Sequence, residues 1–432
     1  MAANIPDSPY PRVVIVGGGF GGINVANKLR KANVQIVMLD RNNHHTFQPL
    51  LYQVATSGLE AGSIAYPLRK VIRSKNYHFR MTEVEQILPA ENKVKTGLGD
   101  IPYDFLVLAT GSKTNYFGMK DLEENALPLK SVSQAIDMRH IILQNFENML
   151  CAEDAGQRQR LMNFAIAGGG PTGVELAGAL SELRKKVLPK DYPELDFSQM
   201  RIMILDPGDK VLASMSEKAS KHAREYLESF GVELKFGAAV KSYDGQNAVL
   251  STGEILPTAT LIWAAGVMGE VPEGLDKAIV VRGNRILVDE FNRIKGTENI
   301  FAIGDIAQHE TPEEPRGLPM LAPVAIQHGQ HLAKNIKKMI KKENPLPFKY
   351  FDKGSMATVG RKKAVVDMTK KIHFGGFMAW VAWLFVHLFY LIGFRNKLMV
   401  FTDWVWNYFT FDRRVRLIIR PVVKKQRTTT DS

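Results

Sequence analysis

One cysteine, Cys151, stands in a chain of 432 residues. That scarcity excludes an internal disulfide, a Cys-x-x-Cys redox pair and an iron–sulfur cluster held by the chain's own thiols. Cys151 reads as a structural or surface thiol. No H-E-x-x-H occurs, and the adjacent His44 and His45 have no further His, Cys or acidic pair at ligand spacing. No metal site is expected, and the two histidines read as loop residues. Acidic residues are outnumbered, 44 against 56 Lys and Arg, which gives a formal charge of +12. A basic surface serves nucleic acid, anionic lipid or solubility, and the position of the charge decides among them. A secretory leader is missing too. Met1 to Arg12 is polar and proline-broken, so the folded domains are expected inside the cell.

What is present is a glycine pattern in a specific setting. Val13-Val14-Ile15-Val16 is a β-branched apolar run that reads as a buried strand. Gly17, Gly18, Gly19, Phe20, Gly21 and Gly22 follow, and Gly17, Gly19 and Gly22 fill G-x-G-x-x-G. Ile23 to Lys31 has helical periodicity, and Gln35 to Leu39 is a second strand ending at Asp40. The first glycine permits the turn, the second admits a pyrophosphate to the backbone, and the third lets helix pack on strand. The helix N-terminus offers N–H groups to phosphate, and the acid accepts from a ribose. The pattern recurs. Asn163 to Ala167 is a strand, followed by Gly168, Gly169, Gly170, Pro171, Thr172 and Gly173, a helix from Val174 to about Val187, and the strand Arg201 to Leu205 ending at Asp206. Two such sites suggest a flavin dinucleotide and a nicotinamide dinucleotide placed to exchange a hydride. An acid at Asp206 favours NADH over NADPH, because a 2′-phosphate would meet a negative charge.

Smaller landmarks also repeat. Phe105 to Ala109 is a strand closing in Thr110-Gly111-Ser112, where small residues let backbone approach a cofactor. Leu261 to Ala264, with Ala265 and Gly266, has the same ending. Phe79 to Val84 and Lys93 to Thr96 read as a small meander, and Ser131 to Leu150 as a helix. After the strand Ile300 to Ile303 come Gly304 and Asp305, an acid that either bonds a flavin's ribityl hydroxyls or caps the next helix. Pro323 to Lys342 is helical, and twelve Lys and Arg face three acids between Lys334 and Lys371.

The last sixty residues differ in character. Phe374 to Phe394 contains no Asp, Glu, Lys or Arg over 21 residues, long enough to span a bilayer. Leu398 to Phe411 is rich in aromatics, and Arg413, Arg414, Arg416, Arg420, Lys424, Lys425 and Arg427 close the chain. Lys370, Lys371, Arg395 and Lys397 flank the apolar run. A span would carry the far flank and the basic tail across the membrane, against the positive-inside preference. A segment lying in the interface is the expectation, with a buried core helix as the alternative.

Taken with the second loop's Gly168 to Glu175 and Ala322 to Gly329, these features resemble the type II NADH:quinone oxidoreductases, the non-proton-pumping NADH dehydrogenases of bacterial type. The resemblance covers essentially the whole chain. It implies an α/β fold with two Rossmann-like domains, FAD at the first glycine motif, NADH at the second, and a membrane quinone as oxidant. It implies Asp305 on FAD, Glu175 near the nicotinamide–flavin contact, and Gln327 at the quinone. Arg41, Val84, Ala109, Thr110, Gly111, Gly304 and Ala325 complete the expected FAD contacts, and Ala265 and Gly266 those to NADH. One departure is plain: the first glutamine of the family's Ala-Gln-x-x-x-Gln segment is Pro323 here, which offers neither side-chain hydrogen bond nor N–H. The expected division is 1–112 and 286–372 for FAD, 113–160 connecting, 161–285 for NADH and 373–432 for the membrane. Expected partners are NADH, quinone and lipids at the cytoplasmic face of the inner membrane, with a homodimer as candidate assembly and no nucleic acid. Two rival readings remain: a soluble NADH-dependent reductase of a small redox protein, and a non-enzymatic flavoprotein binding a partner through its basic surface.

Overall fold

A computed structural model of the chain describes residues 3–368, 372–413 and 415–419. Lys370, Lys371, Arg414, Arg420, Lys424, Lys425 and Arg427 lie outside the described residues. The chain divides into two compact units.

The first unit takes 1–46, 66–113 and 267–352. Its centre is a five-stranded parallel sheet in the order Ile300–Ala302, Phe105–Leu108, Arg12–Val16, Gln35–Asp40, Tyr77–Met81. Residues 13–16, 36–39 and 105–108 of the inner strands are continuous apolar runs, the pattern of a parallel sheet covered on both faces. Helix Phe20–Leu29 packs along helix Ala322–Ile340. Gly329 makes the approach close, since a Cβ there would stand 2.4 Å from the Gly21 carbonyl oxygen. Val84–Leu88, Lys93–Thr96 and Gly99–Pro102 form an antiparallel meander. Phe79 corrects the expectation. It belongs to the parallel sheet, where Tyr77–Met81 pairs with Ile36–Asp40, and not to the meander. His44 and His45 also differ from the loop reading, because His44–Thr46 is a short strand.

The second unit takes 47–65, 114–266 and 353–432. Its parallel sheet runs Leu127–Pro128, Thr260–Trp263, Asn163–Ala167, Arg201–Asp206, Val232–Phe236. Helix Val132–Leu150 starts in a capping box, with Ser131 and Gln134 each accepting from the other's backbone N–H. The helix after the second glycine loop begins at Pro171, earlier than its apolar periodicity suggests, because proline at the first helical turn loses no hydrogen bond. It is regular to Glu182 and passes through a π-turn at Leu183–Val187.

The long uncharged stretch is not one element. Phe374 to Gly376 belongs to strand His373–Gly376, the edge of a three-stranded antiparallel sheet with Ser355–Thr358 and Ala364–Asp367. The helix Phe377–Tyr390 that follows has 14 residues, and after a break a second helix runs Phe394–Thr410. Among the described residues no helix is long and apolar enough to cross a membrane.

Candidate active site

The two glycine loops have the same local geometry, each in its own unit. Gly17 and Gly168 sit at φ of +106° and +108°. A Cβ would stand 2.2 Å from the Ala109 carbonyl oxygen in the first case and 2.5 Å from that of Ala264 in the second. At Gly22 and Gly173 a Cβ would come within 2.0 Å of the Gly17 and Gly168 oxygens. Gly19 and Gly170 differ: nothing lies within 4 Å of either missing Cβ. That clear space at a helix N-terminus is what a pyrophosphate needs. Pro171 and Thr172 are exposed beside it in the second loop, as Phe20 is half-exposed in the first.

Each strand-end acid ties its loop shut. Gly18 N–H donates to Asp40 Oδ2 at 2.7 Å, and Gly169 N–H to Asp206 Oδ2 at 2.6 Å. The second oxygens accept from Asn42 N–H and Gly208 N–H, each at 2.7 Å. From the other side, buried His45 donates through Nδ1 to the Gly18 oxygen at 3.0 Å. Burial pushes the His45 pKa down to about 4, so the ring is neutral. Among the described residues no His, Cys, Asp and Glu group could hold a metal ion.

The remaining expected flavin contacts gather near the first loop or at its margins. Thr110 Oγ1 donates to the Glu270 oxygen at 2.7 Å, and the Gly111 oxygen accepts from Glu270 N–H at 3.1 Å. Arg41 makes a two-pronged ion pair with Glu270 at 2.7 and 2.9 Å. Val84 opens the meander, paired with Thr96. Gly304 has φ +72°, and a Cβ there would lie 3.1 Å from the Ala325 Cβ, so this turn requires glycine. Ser112 Oγ donates to Asp305 Oδ2. Gln327 is held by the Phe351 backbone, and Pro323 sits in the first turn of its helix, where proline is harmless. In the second unit, the Gly266 oxygen accepts from Asn115 N–H at 3.1 Å, and Ala265 packs against the core around Trp263.

Glu175 lies one turn into the Pro171–Glu182 helix and is buried. Burial raises its carboxyl pKa to about 8, against a long hydrogen bond from Thr358 N–H at 3.5 Å. The Trp383 indole favours the ionised form as well, although its N–H makes no well-formed hydrogen bond. The same helix face, through Ala179 and Glu182, walls a pocket that pattern reading missed. Tyr52, Trp380, Trp383, Trp404, Tyr408 and Phe411 supply its aromatic lining. Trp404 Nε1 donates to Gln53 Oε1 at 2.8 Å, and Gln53 Nε2 donates to Tyr52 Oη at 2.9 Å. Glu182 accepts from Arg361 N–H and from Arg413 Nη2, the latter at 2.8 Å. Arg413 Nη1 also donates to the Thr56 oxygen at 2.7 Å. The aromatic tail was legible as a motif. Its meeting with the other walls was not, because the lining comes from five separated stretches.

Comparison with known proteins adds the following. The model of the pyridine nucleotide-disulphide oxidoreductase family matches residues 11–329, and that of the NDH2 C-terminal domain matches 353–413. The chain is 38% identical over 424 residues to the type II NADH:quinone oxidoreductase Ndh of Mycobacterium tuberculosis, covering 94% of this chain and 90% of that one. It is 30% identical to the mitochondrial internal alternative NAD(P)H-ubiquinone oxidoreductase A1 of Arabidopsis thaliana, covering 94% and 86%. Among solved structures, NDH2 from Plasmodium falciparum in complex with NADH superposes with a TM-score of 0.85 at 20% identity, over 95% of this chain and all of that one. The sulfide:quinone oxidoreductase of Aquifex aeolicus gives 0.71 at 18% identity, over 95% and 96%.

Proposed function

The chain belongs to the family of type II NADH:quinone oxidoreductases, and from that premise we propose how its residues share the work. It is an FAD-dependent enzyme that oxidises NADH and reduces a quinone. FAD, when bound, supplies a centre that accepts a hydride and passes two electrons on. The doubled loop-and-acid geometry carries this reading. A pyrophosphate fits against Gly19 in the first unit and against Gly170 in the second, where the backbone is open and a helix begins. Asp305, Ala325, Ala109 to Gly111 and Val84 are assigned to the FAD side, Asp206 and Gly266 to the NADH side. Arg41 holds Glu270, which in turn secures Thr110 and Gly111.

Glu175 is protonated at neutral pH, because its burial favours the neutral carboxyl. The overall reaction consumes one proton with NADH and quinone to give NAD+ and quinol. A neutral buried carboxyl is suited to hold that proton. The aromatic pocket suits a planar apolar ring, since such rings stack well on Trp and Tyr. Disulfide chemistry, which the wider family's name includes, needs a cysteine pair that one Cys151 cannot provide.

We further propose that the second unit rests on a lipid surface. Phe385, Phe389, Phe394 and Phe409 are each more than 60% exposed on the two C-terminal helices. Cations stand at their rim: Lys353 Nζ donates to Tyr390 Oη at 2.9 Å, Lys397 lies 5.6 Å from the Phe389 ring centre, and Lys186 lies 5.6 Å from that of Phe411. Exposed apolar rings bordered by amines suit an anionic bilayer interface. Anaerobic stopped-flow tests the enzymatic reading: NADH should bleach the flavin, and a short-chain quinone should restore its absorbance. A flavin that NADH does not reduce would overturn it.

A further inference from the structure

His328 is buried in helix Ala322–Ile340, one residue past Gln327. Its Nδ1 is 3.2 Å from the Gly304 backbone nitrogen. Gly304 can only donate, so Nδ1 is the acceptor and the ring's proton is on Nε2. Among the described residues that Nε2 makes no hydrogen bond. The ring is held by packing: Phe348 meets it edge-on at 4.4 Å and His309 lies tilted at 5.4 Å. The bond falls on the left-handed Gly304, immediately before Asp305.

We propose that His328 is a positioning residue for the flavin: its neutral ring accepts from Gly304, fixes the turn that presents Asp305, and lets the cofactor go when acid protonates it. The inference rests on the reading that Asp305 contacts FAD. A protonated ring has no lone pair at Nδ1, so it would face the Gly304 N–H donor to donor. Every neighbour except the acids opposes that protonation. Burial lowers the His328 pKa well below its usual 6.5, and His309, Arg285 and His331 push the same way. Asp289 and Glu290 act on His309 in the opposite sense, and Asp305 acts on Arg285. His328 is therefore neutral at physiological pH, and the release belongs to strongly acidic conditions.

Flavin retention by the holoenzyme, followed as free-flavin fluorescence after dilution between pH 8 and pH 4, tests this without reference to turnover. His328→Leu removes the acceptor and should weaken retention about tenfold at pH 7, the worth of one buried hydrogen bond. His328→Asn places an oxygen where Nδ1 was and cannot be protonated there. It should retain flavin at pH 7 and lose less of it than wild type in acid. Coincident wild-type and Asn profiles would overturn the proposal even if the Leu variant failed to fold. Asp305→Asn separates the two layers. If it retains flavin fully, the underlying reading falls. If it loses flavin while His328→Leu does not, only the present inference falls.

Discussion

Gln327 and Phe351 exchange two hydrogen bonds, Nε2 to the Phe351 oxygen at 2.9 Å and Phe351 N–H to Oε1 at 3.0 Å. The carboxamide is thereby fixed in orientation, and among the described residues these two bonds leave one N–H and one lone pair over. A free donor held rigidly is what a quinone carbonyl needs, and Pro323 leaves this glutamine without the family's second amide. Gln327→Ala should leave NADH-driven flavin reduction within about twofold of wild type and slow reoxidation by quinone about tenfold, the loss of one hydrogen bond in the rate-limiting complex. Gln327→Glu retains the acceptor toward Phe351 N–H but loses the donor, so it should be slow in the same half-reaction. Stopped-flow on each half-reaction checks this. Equal loss in both would assign Gln327 to support of the fold.

Asp206 has two tasks in the structure, closing the glycine loop through Gly169 and Gly208 and presenting charge at the strand end. Removing the charge should separate them. Asp206→Asn keeps an acceptor, so it should relax discrimination against NADPH about tenfold with a small rise in KM for NADH. Asp206→Gly should relax discrimination likewise and raise KM for NADH further, because two loop N–H groups lose a charged acceptor. Flavin content should not change in either. Steady-state kinetics with both nucleotides decides it, and a wild type that already uses NADPH equally would refute the role given to Asp206.

The glycine loops were legible because their constraints are local. The turn at Gly17, the packing at Gly22 and the acid at Asp40 all lie on one continuous strand–loop–helix–strand stretch between Arg12 and Asp40. The same holds for the second copy. The aromatic pocket was not legible, since Tyr52, Glu182, Arg361 and Trp404 are close only after long-range packing. His45 was read as a loop residue because adjacent histidines carry no period that marks a three-residue strand. The uncharged stretch from Phe374 misled by composition: edge-strand pairing of Phe374, Gly375 and Gly376 with Ala364 to Val366 takes its first residues out of the helix.

Glu175 supplies a pH test. Its folded pKa of about 8 exceeds the ordinary value of 4.5, because burial penalises the charged form. A group with a raised folded pKa stabilises fully below its unfolded value and loses that contribution as pH rises to the folded one. Wild type should therefore lose stability relative to Glu175→Gln across roughly pH 5 to 8, at about 1.4 kcal/mol per pH unit, and the difference should level off above that. Thermal midpoints of the two proteins over this range check it. A difference independent of pH would show that Glu175 ionises normally in the folded protein.

The surface model of the C-terminal helices makes the last prediction. Phe377–Tyr390 has 14 residues, about 21 Å of helix at 1.5 Å per residue, against a hydrocarbon core of about 30 Å. Phe394–Thr410 has 17 residues, about 25 Å of helix, and carries Arg395, Lys397 and Asp403. Lying in the interface lets Phe385, Phe389 and Phe409 reach the acyl chains while Lys353 and Lys397 stay at headgroup level. Phe385→Asp with Phe389→Asp should abolish sedimentation with vesicles containing anionic lipid and leave NADH reduction of the flavin unchanged, since neither residue lines the aromatic pocket. Raising salt should weaken wild-type binding only partly, because apolar burial is not screened. In sealed vesicles, an epitope placed after Ser432 should be cleaved only from the face that carries NADH activity. Cleavage only from the opposite face would establish a crossing segment and end the surface model.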